Sequence, residues 1–220
     1  QPRSRGLGDV YKRQALLTTL LLSASLQAVE KPYDYVFFEN SLMKGDYFYS
    51  QAKYTSPSWI KNARHHLPVA GSVAFTPGNS LELTYVSAPG GDWYSEIQYC
   101  PVRGNDFFRE PSTLSLQVQL RESMDAAALP NIAIRYADST YTQYLNLRNY
   151  LKDTRPGVWH SVSIPLKDFG LNAVNDTNIK KLAAVALRPG TADGNEYTIY
   201  LDDIELLPAS LPSVSALNAP

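Results

Sequence analysis

Apolar and polar residues alternate along most of this chain, and a period of two is the repeat of a β-strand rather than of a helix. Eight segments carry it: DYVFFE (34–39), SLELTYVS (80–87), YSEIQY (94–99), TLSLQVQL (113–120), NIAIRY (131–136), WHSVSIPL (159–166), LAAVALRP (182–189) and YTIYLDDIELL (197–207). Turn chemistry separates several of them: TPGN 76–79, APGGD 88–92, TRPG 154–157 and RPGTADGN 188–195. Helical signals are confined to LKDFGL (166–171) and TNIKKL (177–182), while DAAAL (125–129) reads as a loop or a single turn. Eight short strands in one domain-sized body predict an all-β fold, an antiparallel β-sandwich of the jelly-roll kind. Residues 40–71 lack the pattern and read as a long loop carrying Tyr47, Phe48, Tyr49, Tyr54 and Trp59.

The two ends stand apart from that body. Residues 1–14, with GDVYKRQ at 8–14, resemble the translation of a sequencing-library adapter and are excluded from the fold. Residues 15–28, ALLTTLLLSASLQA, are uncharged, apolar and end in small residues, the pattern of a signal peptide, and are too short to span a bilayer. A secreted, periplasmic or cell-surface protein is therefore expected. Residues 29–208 form the body, and the Ser-, Pro- and Ala-rich residues 209–220 read as a linker to a downstream domain. The formal net charge is −1, and residues 1–28 hold four basic residues against one acid, which leaves −4 for the rest. A nucleic-acid partner is not expected on that balance. Cys100 is the single cysteine, so no internal disulfide forms, and it reads as a small buried hydrophobe. Fifteen tyrosines and three tryptophans suit a surface that must be apolar and hydrogen-bonding at once.

Three segments, YVFFEN (35–40), GVWHSVSIPLKDFG (157–170) and VALRPGTADGNEYTIYLDDIELLP (185–208), occur in an order that resembles the galactose-binding-like jelly rolls. These serve as carbohydrate-binding modules on secreted glycoside hydrolases, and the resemblance covers residues 33–208. ENSLMKGDYFYSQAKYTSPSWI (39–60) is further similar to the N-terminal region of secreted proteins with a glycoamylase-like hydrolase domain. The resemblance implies a non-catalytic module that targets a hydrolase to a polysaccharide or oligosaccharide, with the catalytic domain downstream in the same chain. It makes Trp159 a framework residue. It also implies a structural calcium shared by the first and last strands, with carboxylates at Glu39 and Asp202 and a third candidate at Asp46. Calcium takes six to eight oxygen ligands, so carboxylates and carbonyls suit it. Asp202 is expected on the Tyr200 and Ile204 face of an apolar strand, with Asp203 opposite. A buried carboxylate there needs a partner: the ion, or else backbone amides or an arginine.

For the sugar, Trp93 and Tyr94 after the Gly-Gly turn are the expected platform, with Trp59 as a second wall and Arg103 and Asp106 supplying hydrogen bonds. The alternative for each tryptophan is an anchor packed on the sandwich edge. His65 and His66 are adjacent and would face opposite ways, and His160 has no partner in sequence, so all three read as surface residues. NDT (175–177) is a formal glycosylation sequon. No Gly-x-Ser-x-Gly, His-Glu-x-x-His or phosphate-loop motif is present. Glycoside hydrolysis needs two carboxylates flanking a cleft, and sequence spacing does not place Glu82, Glu96, Glu110 or Asp138. The competing readings are a spacer that packs on the hydrolase without binding sugar, and a catalytic β-sandwich.

Overall fold

The period-two runs become strands in the computed structural model, which describes residues 35–99, 111–171 and 181–208. The described residues all belong to one unit, Tyr33–Pro220. In chain order the strands are β1 (Tyr35–Phe38), β2 (Asp46–Tyr47), β3 (Ser50–Thr55), β4 (Trp59–Ile60), β5 (Leu67–Ala70), β6 (Ser80–Val86), β7 (Asp92–Gln98), β8 (Pro111–Leu120), β9 (Asn131–Tyr136), β10 (Leu145–Asn146), β11 (Trp159–Pro165), β12 (Leu182–Arg188) and β13 (Glu196–Pro208). They form two antiparallel sheets. The eight-stranded sheet runs β11-β8-β13-β6-β5-β2, with β1 on β13 and β4 on β6. The five-stranded sheet runs β10-β9-β12-β7-β3. This is the β-sandwich that alternation predicts.

The core lies between the sheets. Leu81, Leu83, Tyr85, Leu116 and Leu201 enter it from one side, and Trp93, Ile97, Ile134, Val185 and Leu187 from the other. Trp93 is fully buried, its ring centroid 4.8 Å from that of Tyr85, and its indole N–H donates to Ser87 Oγ at 2.9 Å. Tyr85 in turn donates its hydroxyl to the Ala128 carbonyl. Buried aromatic rings thus come with their polar tips satisfied, which removes the cost of enclosing them.

Residues 40–71 are not one long loop but contain β2 to β5. Strand β3 escapes a sequence pattern because only the small Ser50 and Ala52 of its first residues turn inward, while Lys53, Tyr54 and Thr55 stay exposed at the sheet edge. LKDFGL supplies one short 3₁₀ helix, Leu166–Phe169, ended by Gly170 at φ 83°. Ala126–Ala128 forms another, capped by Asp125. Most of TNIKKL, the sequon and the segments 1–28 and 209–220 lie outside the described residues.

The paired aspartates of the closing strand are explained by a β-bulge. Asp202 pairs with Gln117 and Glu205 with Ser115, so β13 fits one extra residue against β8. Asp203 takes it up with φ 44°. Leu201 and Ile204 both enter the core as a result. Asp202 therefore shares a face with Tyr200 as expected, but Ile204 is on the other face, because the extra residue shifts the alternation between them. Asp202 is nonetheless completely buried, since Phe75 and Thr76 cross over it. Its Oδ2 accepts the amides of Phe75 (2.8 Å) and Thr76 (3.2 Å), and Oδ1 accepts that of Asp203 (2.9 Å). Thr76 Oγ1 donates to Asp203 Oδ2 at 2.7 Å. Of the partners open to a buried carboxylate, backbone amides are the ones this structure supplies.

Burial pushes the Asp202 carboxyl up to about 6, against the pull of the Phe75, Asp203 and Thr76 amides and with a push from the Asp203 charge. A folded-state value above the ordinary 3.8 means the folded chain binds this proton more tightly than the unfolded one. The stabilising increment is complete below the unfolded value and is lost as pH rises through about 6. The melting temperature of the unaltered chain should show that loss, and Asp202→Asn, which does not titrate, should not. Parallel curves for the two would exclude Asp202 as the titrating group. A second expectation concerns the core: Trp93→Ala should cost about 3–5 kcal/mol in chemical denaturation, and a cost near zero would mean that the ring does not hold the sheets together.

Candidate functional site

Because Trp93, Ser95 and Ile97 of β7 point into the core, Asp92, Tyr94, Glu96 and Gln98 must point outward. The register extends that outward face across the five-stranded sheet. Tyr94 lies level with Lys53 on β3, and Glu96 with Gln51 on β3 and Ala186 on β12. Ala186 is level with Ala133 on β9, Ala184 with Arg135, and Arg188 with Asn131. Ala133, Ala184 and Ala186 are outward yet fully buried, so longer side chains must rise around them and close over them. These small residues form the floor of the face.

Tyr94 rises on one side of this floor. Tyr141 and Tyr144 rise on the other, from the segment between β9 and β10. The Tyr94 and Tyr141 hydroxyls meet at 3.1 Å, and the Tyr141 and Tyr144 rings stack at 6.0 Å and 27°. The Arg188 guanidinium sits 5.6 Å from the Tyr94 ring centroid and 5.7 Å from that of Tyr144, a cation held between two aromatic faces. It also approaches Asp92 Oδ2 at 3.4 Å. Below the rings, the buried Glu96 carboxylate pairs with Arg135 Nε at 2.5 Å and accepts the Tyr141 hydroxyl at 3.3 Å.

Burial, and next the Glu96 carboxylate and Tyr141, hold the Tyr94 phenol well above its ordinary range. Burial raises Tyr144 as well, with Arg188 opposing. Both phenols therefore stay protonated, and the Tyr144 hydroxyl is itself buried. The face thus offers flat aromatic surface with hydroxyl and guanidinium donors at its edges. Such a surface holds a molecule that is apolar on one side and rich in hydroxyls around its rim.

Of the expected sugar-site residues, Tyr94 is on this face. Trp93 is not, which corrects the exposed platform: strand alternation sends it inward. The Gly-Gly turn serves packing rather than exposure. A Cβ on Gly91 would lie 2.2 Å from the Ser58 backbone nitrogen, so glycine there admits the 56–58 turn. Trp59 is half-buried and belongs to the other sheet through its pairing with Val86, on the side opposite the core residue Ile60. It is not a second wall beside Tyr94 on the outward five-stranded face. Arg103, Asp106, Glu110 and Cys100 lie outside the described residues. Tyr141, Tyr144, Arg135 and Arg188 are additions that sequence reading did not single out. The signal available was LAAVALR, where alanine at alternate positions ends in arginine.

The carboxylates expected to hold calcium are each engaged differently. Asp46 accepts both Nε and Nη2 of Arg64, at 2.9 and 2.7 Å, and Asp202 is ringed by three amides. N–H donors aimed at both Asp202 oxygens fit an anion already satisfied without a metal ion. Among the described residues no group of three or more His, Cys, Asp or Glu side chains is arranged to hold a metal. Asp46 and Asp202 thus spend carboxylate oxygens on N–H donors within the fold, while the calcium expected between Glu39 and Asp202 stays an expectation. Glu82, held by Lys61 at 2.6 Å, and Glu96 lie on different sheets and both face away from the core, so they do not flank one cleft. Two of the histidines are less free than expected: His66 Nδ1 is 2.5 Å from the Ser50 carbonyl, and His160 Nε2 is 3.3 Å from Asp153 Oδ1.

Comparison with known proteins places this geometry in a family. The chain is 97% identical over 209 residues to an exo beta-1,2-glucooligosaccharide sophorohydrolase (non-reducing end) of Parabacteroides distasonis. That match takes in 95% of this chain and 29% of the relative, so the chain spans under a third of the hydrolase's length. The crystal structure of a beta-1,2-glucanase from Parabacteroides distasonis superposes with a TM-score of 0.80 at 97% identity, over 86% of this chain and 27% of that one. The family 30 carbohydrate-binding module of a cellulosomal cellulase of Clostridium thermocellum shares the fold, with a TM-score of 0.57 at 16% identity, over 80% of this chain and 98% of the module. The model of carbohydrate binding domain 30 matches residues 34–207, from the opening strand to the last, and the chain belongs to that family.

Proposed function

We propose that the outward face of the five-stranded sheet binds a β-linked glucan, and that the domain holds an exported hydrolase against that polysaccharide. The observation that carries the reading is the trio Tyr94, Tyr141 and Tyr144 gathered around Arg188 over a floor of alanines. A glucose ring is apolar on its C–H face and polar around its edge, which matches tyrosine rings fringed by hydroxyls and a guanidinium. The family supplies the ligand class, a saccharide. The 97% identical relative acts, by its name, on beta-1,2-glucooligosaccharides, so the glucan we propose is β-1,2-linked.

A second surface favours the spacer reading as an added role. Phe75 is 48% exposed and Val158 39%, and the Phe75 ring meets Trp159 edge-on at 6.0 Å. Trp159 lies on the outward side of the eight-stranded sheet, away from the tyrosines, because its neighbours Val162 and Ile164 fill the core. An apolar cluster of this kind suits packing against another part of a longer chain.

Binding of β-1,2-glucan by the purified chain, followed by calorimetry or retardation in a glucan gel, separates the two surfaces. Tyr94→Ala and Tyr141→Ala should each weaken binding by about 1–3 kcal/mol. Tyr141→Ala should also leave the melting temperature almost unchanged, since its ring is partly exposed. Phe75→Ser should leave binding intact. Unaltered binding in both tyrosine variants would remove the site from this face.

A further inference from the structure

We infer that the glucan track does not end at Arg188 but continues into a polar depression beside it, which takes a further sugar unit of a longer chain. The inference rests on the proposed glucan binding and extends it to ligand length. An open depression of about 400 Å³ lies at one end of the five-stranded sheet, lined by Asn131, Asn146, Arg148, Asn149 and Thr191 with Gly190 against its base. Its volume falls in the range of about 300–1,000 Å³ usual for small-ligand sites.

Its position follows from the strand register. Arg188, the cation between the two tyrosines, is level with Asn131 on β9, and Asn131 is level with Asn146 on β10. All three side chains point to the same outward face. Two strand spacings, about 10 Å, therefore separate the centre of the tyrosine platform from the far wall of the depression. An oligosaccharide stacked on the tyrosines and running across the strands would enter it.

The depression is built by fixed elements. Asn146 caps the 3₁₀ turn Leu147–Asn149 by accepting the Arg148 amide at 3.0 Å. Its amide group donates to the Leu129 carbonyl and to Asn131 Oδ1, at 3.0 and 3.1 Å. Asn131 donates to the Pro189 carbonyl at 2.6 Å. The Thr191 amide donates to the Ala127 carbonyl at 2.8 Å. At Gly190 a Cβ would lie 2.2 Å from the Leu129 carbonyl oxygen and 2.6 Å from that of Ala127, so only glycine lets the 189–191 segment approach this closely. Asn131 and Asn146 thus spend their amides on the frame. The exposed Arg148, Asn149 and Thr191 side chains, fixed at their backbones by that frame, face the opening.

The lining has no aromatic ring, so it differs in kind from the platform. It would grip hydroxyls edge-on through a guanidinium, an amide and a hydroxyl, where the tyrosines hold a ring by its face. A short oligosaccharide on the platform would not reach it, and a longer one would. Affinity should then rise with chain length beyond what the platform alone supports.

The test compares β-1,2-glucooligosaccharides of increasing length on the unaltered chain, on Tyr141→Ala, and on the double variant Arg148→Ala, Asn149→Ala. Both substituted side chains of the double variant are exposed, so folding should be retained, as a melting curve checks. Tyr141→Ala should weaken every length. The double variant should bind short oligosaccharides as the unaltered chain does and lose about three- to tenfold for long ones, the value of one or two hydrogen bonds. Amide shifts at Arg148, Asn149 and Thr191 should accompany long ligands only. Equal affinity of the double variant and the unaltered chain at every length overturns the depression as a subsite while leaving the platform intact. An equal loss at every length overturns the separation into two subsites. Absence of binding by the unaltered chain at any length overturns the glucan reading, and this inference with it.

Discussion

The contact between Trp93 and Tyr85 across the sandwich is the constraint from which the rest of the domain follows. Each residue belongs to a different sheet, and their burial joins the two inner faces into one apolar layer. Strand geometry then leaves no freedom to the neighbours. If Trp93, Ser95 and Ile97 are inside, Tyr94 and Glu96 are outside. The candidate site is in this sense the reverse side of the core, which fixes Tyr94 and Glu96 directly, and these in turn meet the Tyr141 hydroxyl. A binding face built on paired strands loses less conformational entropy on capturing a ligand than one built on free loops.

The outward face adds its own internal order. Glu96 and Arg135 form a buried pair under the rings, and such a pair contributes little net stability because removing both charges from water costs about what their attraction returns. Its effect here is positional. The carboxylate accepts the Tyr141 hydroxyl, which in turn meets Tyr94, so the ion pair fixes the height and tilt of two rings. The alanines at 133, 184 and 186 provide the space in which those side chains lie. Larger residues at any of them would lift the aromatic layer and alter the surface a sugar meets.

The closing strand shows a different solution to a polar residue in an apolar setting. One extra residue in β13 lets Leu201 and Ile204 both reach the core while Asp202 turns away and is roofed by Phe75 and Thr76. The carboxylate is what pins that roof. The same crossing presents Phe75 beside Trp159 on the far side of the domain, so the bulge also shapes the second exposed surface. Three backbone amides hold this acid in place within the fold.

Much of the architecture was legible from residue order alone. Alternation in segments such as TLSLQVQL and NIAIRY defines strands whatever they pair with, because period and side-chain direction are local properties. Three short segments carry the resemblance to carbohydrate-binding modules, and the match to carbohydrate binding domain 30 over residues 34–207 bears out that coarser reading. Pairing was not visible. Strand β3 was hidden because its inward residues are Ser50 and Ala52, which carry no apolar signal. The platform reading of Trp93 places it in the Gly-Gly turn before a strand that opens at Tyr94; β7 opens at Asp92, so alternation turns the ring inward as the anchor alternative requires. The gathering of Tyr94, Tyr141, Tyr144 and Arg188 joins residues up to 94 positions apart, as the contact of Arg188 with Tyr94 shows. The register of β7, β12 and β9, with the segment after β9 folded back through the Arg135–Tyr141 bridge, brings them together. Direction along a strand is written in the sequence, whereas proximity between strands is decided by the hydrogen-bonded sheet.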